Sequence, residues 1–274
     1  MRYNRFNKMQ RKRKRIMKII EVDGLSKSFN GLTAVDRISF GINKGEVVAF
    51  LGPNGAGKST TIKMLITVLK PSGGSVKVNG YDVRKEQNDV RKSIGVVFQD
   101  ISLDDDLTAY ENMEYHAVLY GVPKKEREAR IEELLEYVGL TDRKSDRVKT
   151  FSGGMKRRLE IARGLLHEPE VLFLDEPTLG LDVQTRSFLW RYIQKLNAEK
   201  NTTIFFTTHN IDEAEKTAGK IFIIDKGQII ASGTSEAIKE QTGTESLEKA
   251  FLALTGYDIR QQSATPLDRM RRMR

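Results

Sequence analysis

Nine consecutive residues, Gly52-Pro53-Asn54-Gly55-Ala56-Gly57-Lys58-Ser59-Thr60, restrict the fold of this chain more than any other stretch. They match the pattern G-x-x-x-x-G-K-[ST], a loop that cradles phosphates only when it joins a strand to a helix. The flanks comply. Val47–Leu51 is an unbroken apolar run of the buried-strand kind, and apolar residues at helical spacing follow the loop as far as Leu69. Three glycines allow backbone N–H groups to turn inward around an anion, at a helix N-terminus that already favours negative charge. Lys58 is placed to reach the β- and γ-phosphates of a nucleoside triphosphate, and Ser59 to ligate Mg²⁺.

A second strand carries acids. Val171-Leu172-Phe173-Leu174 runs into Asp175-Glu176-Pro177. Asp175, at the end of the run, suits the Mg²⁺ shell, directly or through water, and Glu176 suits the general base for an attacking water. The bland alternative is two solvated acids or a helix cap.

Further short apolar runs alternate with amphipathic stretches, which predicts an α/β fold. Strands are expected at Ile19–Leu25, Ile38–Gly41, Glu46–Leu51, Ser75–Val78, Ile94–Val97, Val171–Asp175, Thr203–Thr207, Lys220–Asp225 and Gln228–Ser232. Lys226-Gly227 between the last two reads as a hairpin turn. From Asp100 to Glu168 the pattern is almost wholly helical, with apolar positions at helical spacing over Leu107–Tyr120 and Lys124–Tyr137. This predicts a helical subdomain, about residues 100–168, inserted into the α/β core.

The chain has 274 residues, no cysteine and no apolar run near the roughly 20 residues that cross a bilayer. Disulfides and thiol catalysis are thereby excluded, and a cytoplasmic location is expected. The net charge of +9 is a property of the ends. Residues 1–16 hold eight Lys or Arg and no acid, and residues 265–274 hold four Arg against Asp268, leaving a body of −2. The basic runs read either as solvated, disordered arms or as contacts to anionic lipid or nucleic acid.

Phe151-Ser152-Gly153-Gly154-Met155 lies about twenty residues before the acidic strand and opens a helix expected over Met155–Leu166. With this signature the chain resembles the ATP-binding cassette family from about Ile19 to Tyr257. The resemblance implies a P-loop NTPase (RecA-like) core with an antiparallel β subdomain and the helical insertion. It implies that Phe29 stacks on adenine, where a buried core phenylalanine is the alternative, and that Gln99 touches Mg²⁺ and water and relays nucleotide state to a membrane partner. Leu179-Gly180-Leu181-Asp182 resembles the loop that crosses the dimer interface, and His209, in Thr207-Thr208-His209-Asn210, the histidine that contacts the γ-phosphate. His116 and His167 lack such a context and read as structural. Phe151 and Met155 depart from the commonest signature, Leu and Gln, but Ser152, Gly153 and Gly154, the groups that would bind a γ-phosphate, are intact.

Ser102–Thr108, Glu111-Asn112, Gly121-Val122-Pro123, Ser152–Arg163, Thr207–Glu215 and Ser246–Gly256 look like the ATPase subunits of daunorubicin-resistance-type exporters. That resemblance implies an ATP- and Mg²⁺-dependent ATPase on the inner face of the cell membrane. It implies two partners, a second cassette (a homodimer) and a separate integral-membrane permease, and no sequence-specific nucleic acid. The cassette would cover residues 17–257, between the two basic tails. Two cassettes would close head to tail, with Lys58, Ser59, Gln99, Asp175, Glu176 and His209 of one facing Ser152–Gly154 of the other. An importer ATPase, or a cassette acting on ribosomes or DNA, are the alternatives.

Overall fold

The computed structural model describes residues 18–256. The basic tails, residues 1–16 and 258–274, lie outside them.

A six-stranded sheet forms the centre, in the order β10-β9-β3-β8-β7-β6. β3 (Val47–Leu51), β6 (Ile94–Val97), β7 (Val171–Asp175), β8 (Thr203–Thr208) and β9 (Lys220–Asp225) run parallel, and β10 (Gln228–Gly233) closes the edge antiparallel. The apolar runs have no polar face because both faces are covered. Alternation along each strand then divides the core. Ala49, Leu51, Leu172, Leu174, Ile204 and Phe206 face one side, and Val48, Phe50, Val171, Phe173 and Phe205 the other. On the second side an antiparallel sheet packs, β2 (Leu32–Asn43), β1 (Lys18–Phe29), β4 (Gly73–Val78) and β5 (Tyr81–Asp82). Phe40 of β2 meets Phe50 and Phe222 of the central sheet, with ring centroids 5.8 and 5.1 Å apart.

Between the neighbouring parallel strands β6 and β7 lie α3 (Ala109–Leu119), α4 (Lys124–Tyr137), two single 3₁₀ turns and α5 (Gly153–Gly164). The capping box of Thr108 and Glu111 starts α3. The remaining helices are α1 (Lys58–Leu65), α2 (Gln87–Ser93), α6 (Val183–Lys200), α7 (Ile211–Thr217), α8 (Ser235–Thr242) and α9 (Leu247–Thr255).

The α/β expectation holds, with differences at the ends of elements. β2 begins at Leu32, six residues before the expected Ile38, because its first half, of mixed polarity, pairs with β1 in a hairpin broken by bulges. Helix α1 stops at Leu65 and not at Leu69. Thr67 takes a left-handed φ of 66°, and the N–H groups of Val68 and Leu69 turn back to the Lys63 carbonyl. α5 begins two residues before the expected Met155, since the Ser152 hydroxyl accepts the Met155 N–H at 3.3 Å and draws both glycines into the first turn. The Lys226-Gly227 turn is as expected, with φ of 46° and 80°.

Candidate active site

The loop after β3 is pressed against its surroundings from both sides. A Cβ on Gly52 would lie 2.3 Å from the Ile224 carbonyl oxygen, and one on Gly57 would lie 2.6 Å from that of Ala34. Gly55 and Gly57 also hold φ of 81° and 103°, where side chains are strained. Residues 52–57 therefore curl into a cradle ahead of α1. Lys58, 6% exposed, extends back along it, and its Nζ donates to the carbonyls of Gly52 at 2.8 Å and Pro53 at 3.2 Å.

Two acids from the end of β7 approach from behind. The Ser59 hydroxyl donates to Asp175 Oδ1 at 3.1 Å, and Thr207, on the neighbouring β8, donates to the same oxygen at 2.6 Å. Thr207 also accepts the Glu176 N–H at 3.0 Å. That contact holds Glu176 at φ 49°, a left-handed conformation costing a non-glycine residue about 1–3 kcal/mol. The turn aims the Glu176 carboxylate at Lys58 Nζ, 3.2 Å away, and at His209 Nδ1, 2.9 Å away.

Burial pushes Glu176 upward, but the His209 hydrogen bond and the charge of Lys58 outweigh it and hold the carboxyl below its ordinary range. The same hydrogen bond raises His209 above 6.5 against its partial burial. Burial pulls Lys58 down, opposed by Glu176 and Asp175. The His209–Glu176 pair therefore stabilises the fold fully between the ordinary values of 4.5 and 6.5. Its contribution is lost as pH rises through the raised histidine value, and again as pH falls through the lowered glutamate value. Titration of the His209 ring protons by NMR should show a midpoint above 6.5, and Glu176→Gln should bring it down. An unshifted midpoint in the unsubstituted protein would contradict this pair.

The result is a cleft of about 390 Å³ lined by residues from five separate segments, among them Asn54, Lys58, Ser59, Gln99, Glu176 and His209. Sequence reasoning named those six. Leu179, expected in the loop that crosses the dimer interface, lines the same cleft, as does Ala34 on β2, which no sequence pattern indicates. Sequence reasoning also missed the role of the threonines that fix its back wall. The hydroxyl that follows the apolar run Ile204-Phe205-Phe206 in β8 was the available signal for Thr207. Thr208, beside it, donates to the buried Glu213, which also receives Thr178 and Trp190.

Other named residues stand apart. Gly52 and Ala56 support the loop from within, and Asp175, 4% exposed, lies behind Ser59. Phe29 is not the core residue of the alternative reading: it is 43% exposed at the end of β1, with Lys27 Nζ 4.9 Å from its ring centre. Ser152, Gly153 and Gly154 are absent from the walls of the cleft, as is Asp182. Ser152 and Gly153 are exposed, and a Cβ on Gly154 would strike Thr185 at 2.6 Å. Asp182 accepts Thr185 N–H and Oγ1 at 2.9 and 2.7 Å, which caps α6 beside that turn.

Residues 35–179 match the ABC transporter family, and the match spans the loop, Gln99, the Ser152 turn and both acids. The chain belongs to the ABC transporter family. The cassette is 41% identical over 229 residues to the linearmycin resistance ATP-binding protein LnrL of Bacillus subtilis, covering 84% of this chain and 73% of that protein. It is 43% identical over 228 residues to the daunorubicin/doxorubicin resistance ATP-binding protein DrrA of Streptomyces peucetius, covering 83% and 69%. Among solved structures, the ATP-binding subunit of an ABC transporter superposes with a TM-score of 0.79 at 32% identity, over 86% of this chain and 99% of that one. A dimeric ATP-binding cassette bound to ADP and Pi in a post-hydrolysis state gives 0.72 at 28% identity, over 78% and 98%. The cassette is thus an ATPase, with a P-loop core carrying an antiparallel sheet and a helical insertion.

Proposed function

We propose that this cassette hydrolyses ATP to power export of a drug-like, lipid or polysaccharide substrate through a separate membrane permease. The observation that carries the ATPase chemistry is the convergence of Lys58, Ser59, Gln99, Glu176 and His209 on one cleft. The export assignment is supported by the resistance proteins named above. Among the described residues no helix is long and apolar enough to cross a membrane, so a permease subunit would supply the pathway and hold the cassette at the inner face of the membrane.

In this reading residues 17–257 form the cassette and residues 100–168 its helical part. The triphosphate lies in the cradle of residues 52–57, and its γ-phosphate takes the Lys58 ammonium from the loop carbonyls and from Glu176. The freed carboxylate, ionised at neutral pH, accepts a proton from the attacking water, and His209 Nδ1 steadies it from the other side.

Ser59 Oγ and Asp175 Oδ1 are adjacent oxygen donors, with Gln99 across the cleft. Among the described residues no group of three or more His, Cys, Asp or Glu forms a protein-only metal cage. One carboxylate and one hydroxyl fit Mg²⁺, which keeps waters and shares its shell with substrate phosphates. When bound, that ion would offset phosphate charge.

Ser152–Gly154 stand outside the cleft with the N-terminus of α5 exposed, and a second cassette would bring this turn to the γ-phosphate. Ser152→Arg should leave ATP binding to the monomer unchanged. It removes a cap worth about 1 kcal/mol and should block ATP-dependent dimerisation in sedimentation. Dimer formation by this variant at the unsubstituted affinity would sink the shared site. The export assignment is tested in inverted vesicles carrying the cassette and its permease. ATP-dependent accumulation of an anthracycline supports it, and ATP-dependent loss of a preloaded solute overturns it.

A further inference from the structure

The chain leaves the central sheet at Val97, the end of β6, and passes through Phe98–Asp105 with almost no regular structure. Backbone groups in such a loop need partners, and helix α5 supplies many of them through one face. The Arg157 guanidinium donates to two successive carbonyls, Phe98 O through Nη1 and Gln99 O through Nη2 at 2.7 Å. Its Nη1 also meets Glu160 Oε2 at 3.0 Å. Glu160 Oε1 accepts the Ser102 N–H at 2.8 Å and its hydroxyl at 3.1 Å, and Arg163 donates to the Ser102 carbonyl at 2.9 Å and to Ser102 Oγ. Lys156 pairs with Asp105 at 2.6 Å. Arg157 and Glu160 are 4% and 1% exposed.

A buried ion pair adds little net stability over apolar residues of the same volume; its planar, two-pronged donor fixes geometry instead. The placement gives that geometry a use. Gln99 lines the cleft, and Arg157 lies one turn past the Ser152–Gly154 turn that begins α5. We propose that Arg157 and Glu160 are positioning residues that fasten the Gln99 loop to α5, so that a displacement of Gln99 by bound nucleotide reaches the Ser152–Gly154 turn. This rests on the ATPase reading above. It assigns to two residues that touch no nucleotide the link between the nucleotide site of one cassette and the turn offered to another.

The absence of cysteine allows a clean test. Spin labels are placed at Val68→Cys, after α1, and Leu119→Cys, at the end of α3, positions 61% and 79% exposed. In a Glu176→Gln background the label distance should shift on adding ATP. Arg157→Lys, which keeps the charge but loses the two-pronged donor, should reduce that shift by about half or more. With Glu176 restored, kcat should fall about tenfold while the nucleotide Kd stays within about twofold. Because Arg157→Lys disturbs the buried pair, Arg157→Met/Glu160→Met is measured beside it, a replacement of similar volume that leaves neither member of the pair buried without the other. The double variant should stay folded and bind nucleotide, with a thermal midpoint lowered by the partners that Phe98, Gln99 and Ser102 lose, and, measured below that midpoint, show the same lost shift and lowered kcat. A folded double variant with the full shift and full kcat overturns the fastening role alone. Failure of the unsubstituted pair of labels to shift, with no nucleotide bound, overturns the ATPase reading beneath it.

Discussion

Glu176→Gln should bind ATP with unchanged affinity, lose turnover by about 10²- to 10⁴-fold, and accumulate as an ATP-bound dimer. The substitution keeps the shape of a side chain that is 7% exposed and removes only its charge and basicity. Its neighbours make that removal specific. The left-handed turn at Glu176 is held through its backbone N–H by Thr207, which the substitution does not touch. Lys58 loses one partner but keeps the carbonyls of Gly52 and Pro53 until phosphate arrives. Binding and chemistry should therefore separate, which is the signature of a group that acts in the transition state. Radiometric phosphate release under saturating ATP, with sedimentation of the same sample, measures both. A variant that hydrolyses normally would remove Glu176 as the base.

Lys58→Ala should abolish nucleotide binding for practical purposes, a loss of about 2–5 kcal/mol or about 30- to 5,000-fold in Kd. The ammonium is held by the loop's own carbonyls, which face the space that phosphates would fill. Its removal also takes one of the two positive partners from Glu176, leaving His209 alone. A lowered thermal midpoint is expected for that reason, so fluorescence titration with a labelled nucleotide should be run below it. Retained affinity in a folded variant would sink the phosphate-loop assignment.

Both predictions concern residues that are legible in the amino-acid sequence, and the reason is local. A loop that must present N–H groups to an anion needs glycines at fixed offsets, and a parallel strand buried on both faces needs an unbroken apolar run. Such demands are met within about ten residues, so they leave a readable pattern. What is not legible depends on partners far along the chain. Nothing around Ala34 predicts that its carbonyl forbids a side chain on Gly57. Nothing around Ser102 predicts that Glu160, fifty-eight residues later, accepts its N–H. The early start of β2 is hidden because a bulged half-strand of mixed polarity is specified by β1 across the hairpin and not by its own alternation.

The sequence by itself determined the α/β core, the phosphate loop, the acidic strand and the presence of the Ser152–Gly154 turn. Only the tertiary structure decided how they are grouped. It draws Gln99, Glu176 and His209 to Lys58 across one end of a parallel sheet, and leaves Ser152–Gly154 at the exposed head of α5, outside that cleft. The division follows from range: motifs record what the backbone must do nearby, whereas the meeting of strand ends is set by sheet order, which pairs β3 with β8 and β8 with β7 irrespective of their distance in the chain.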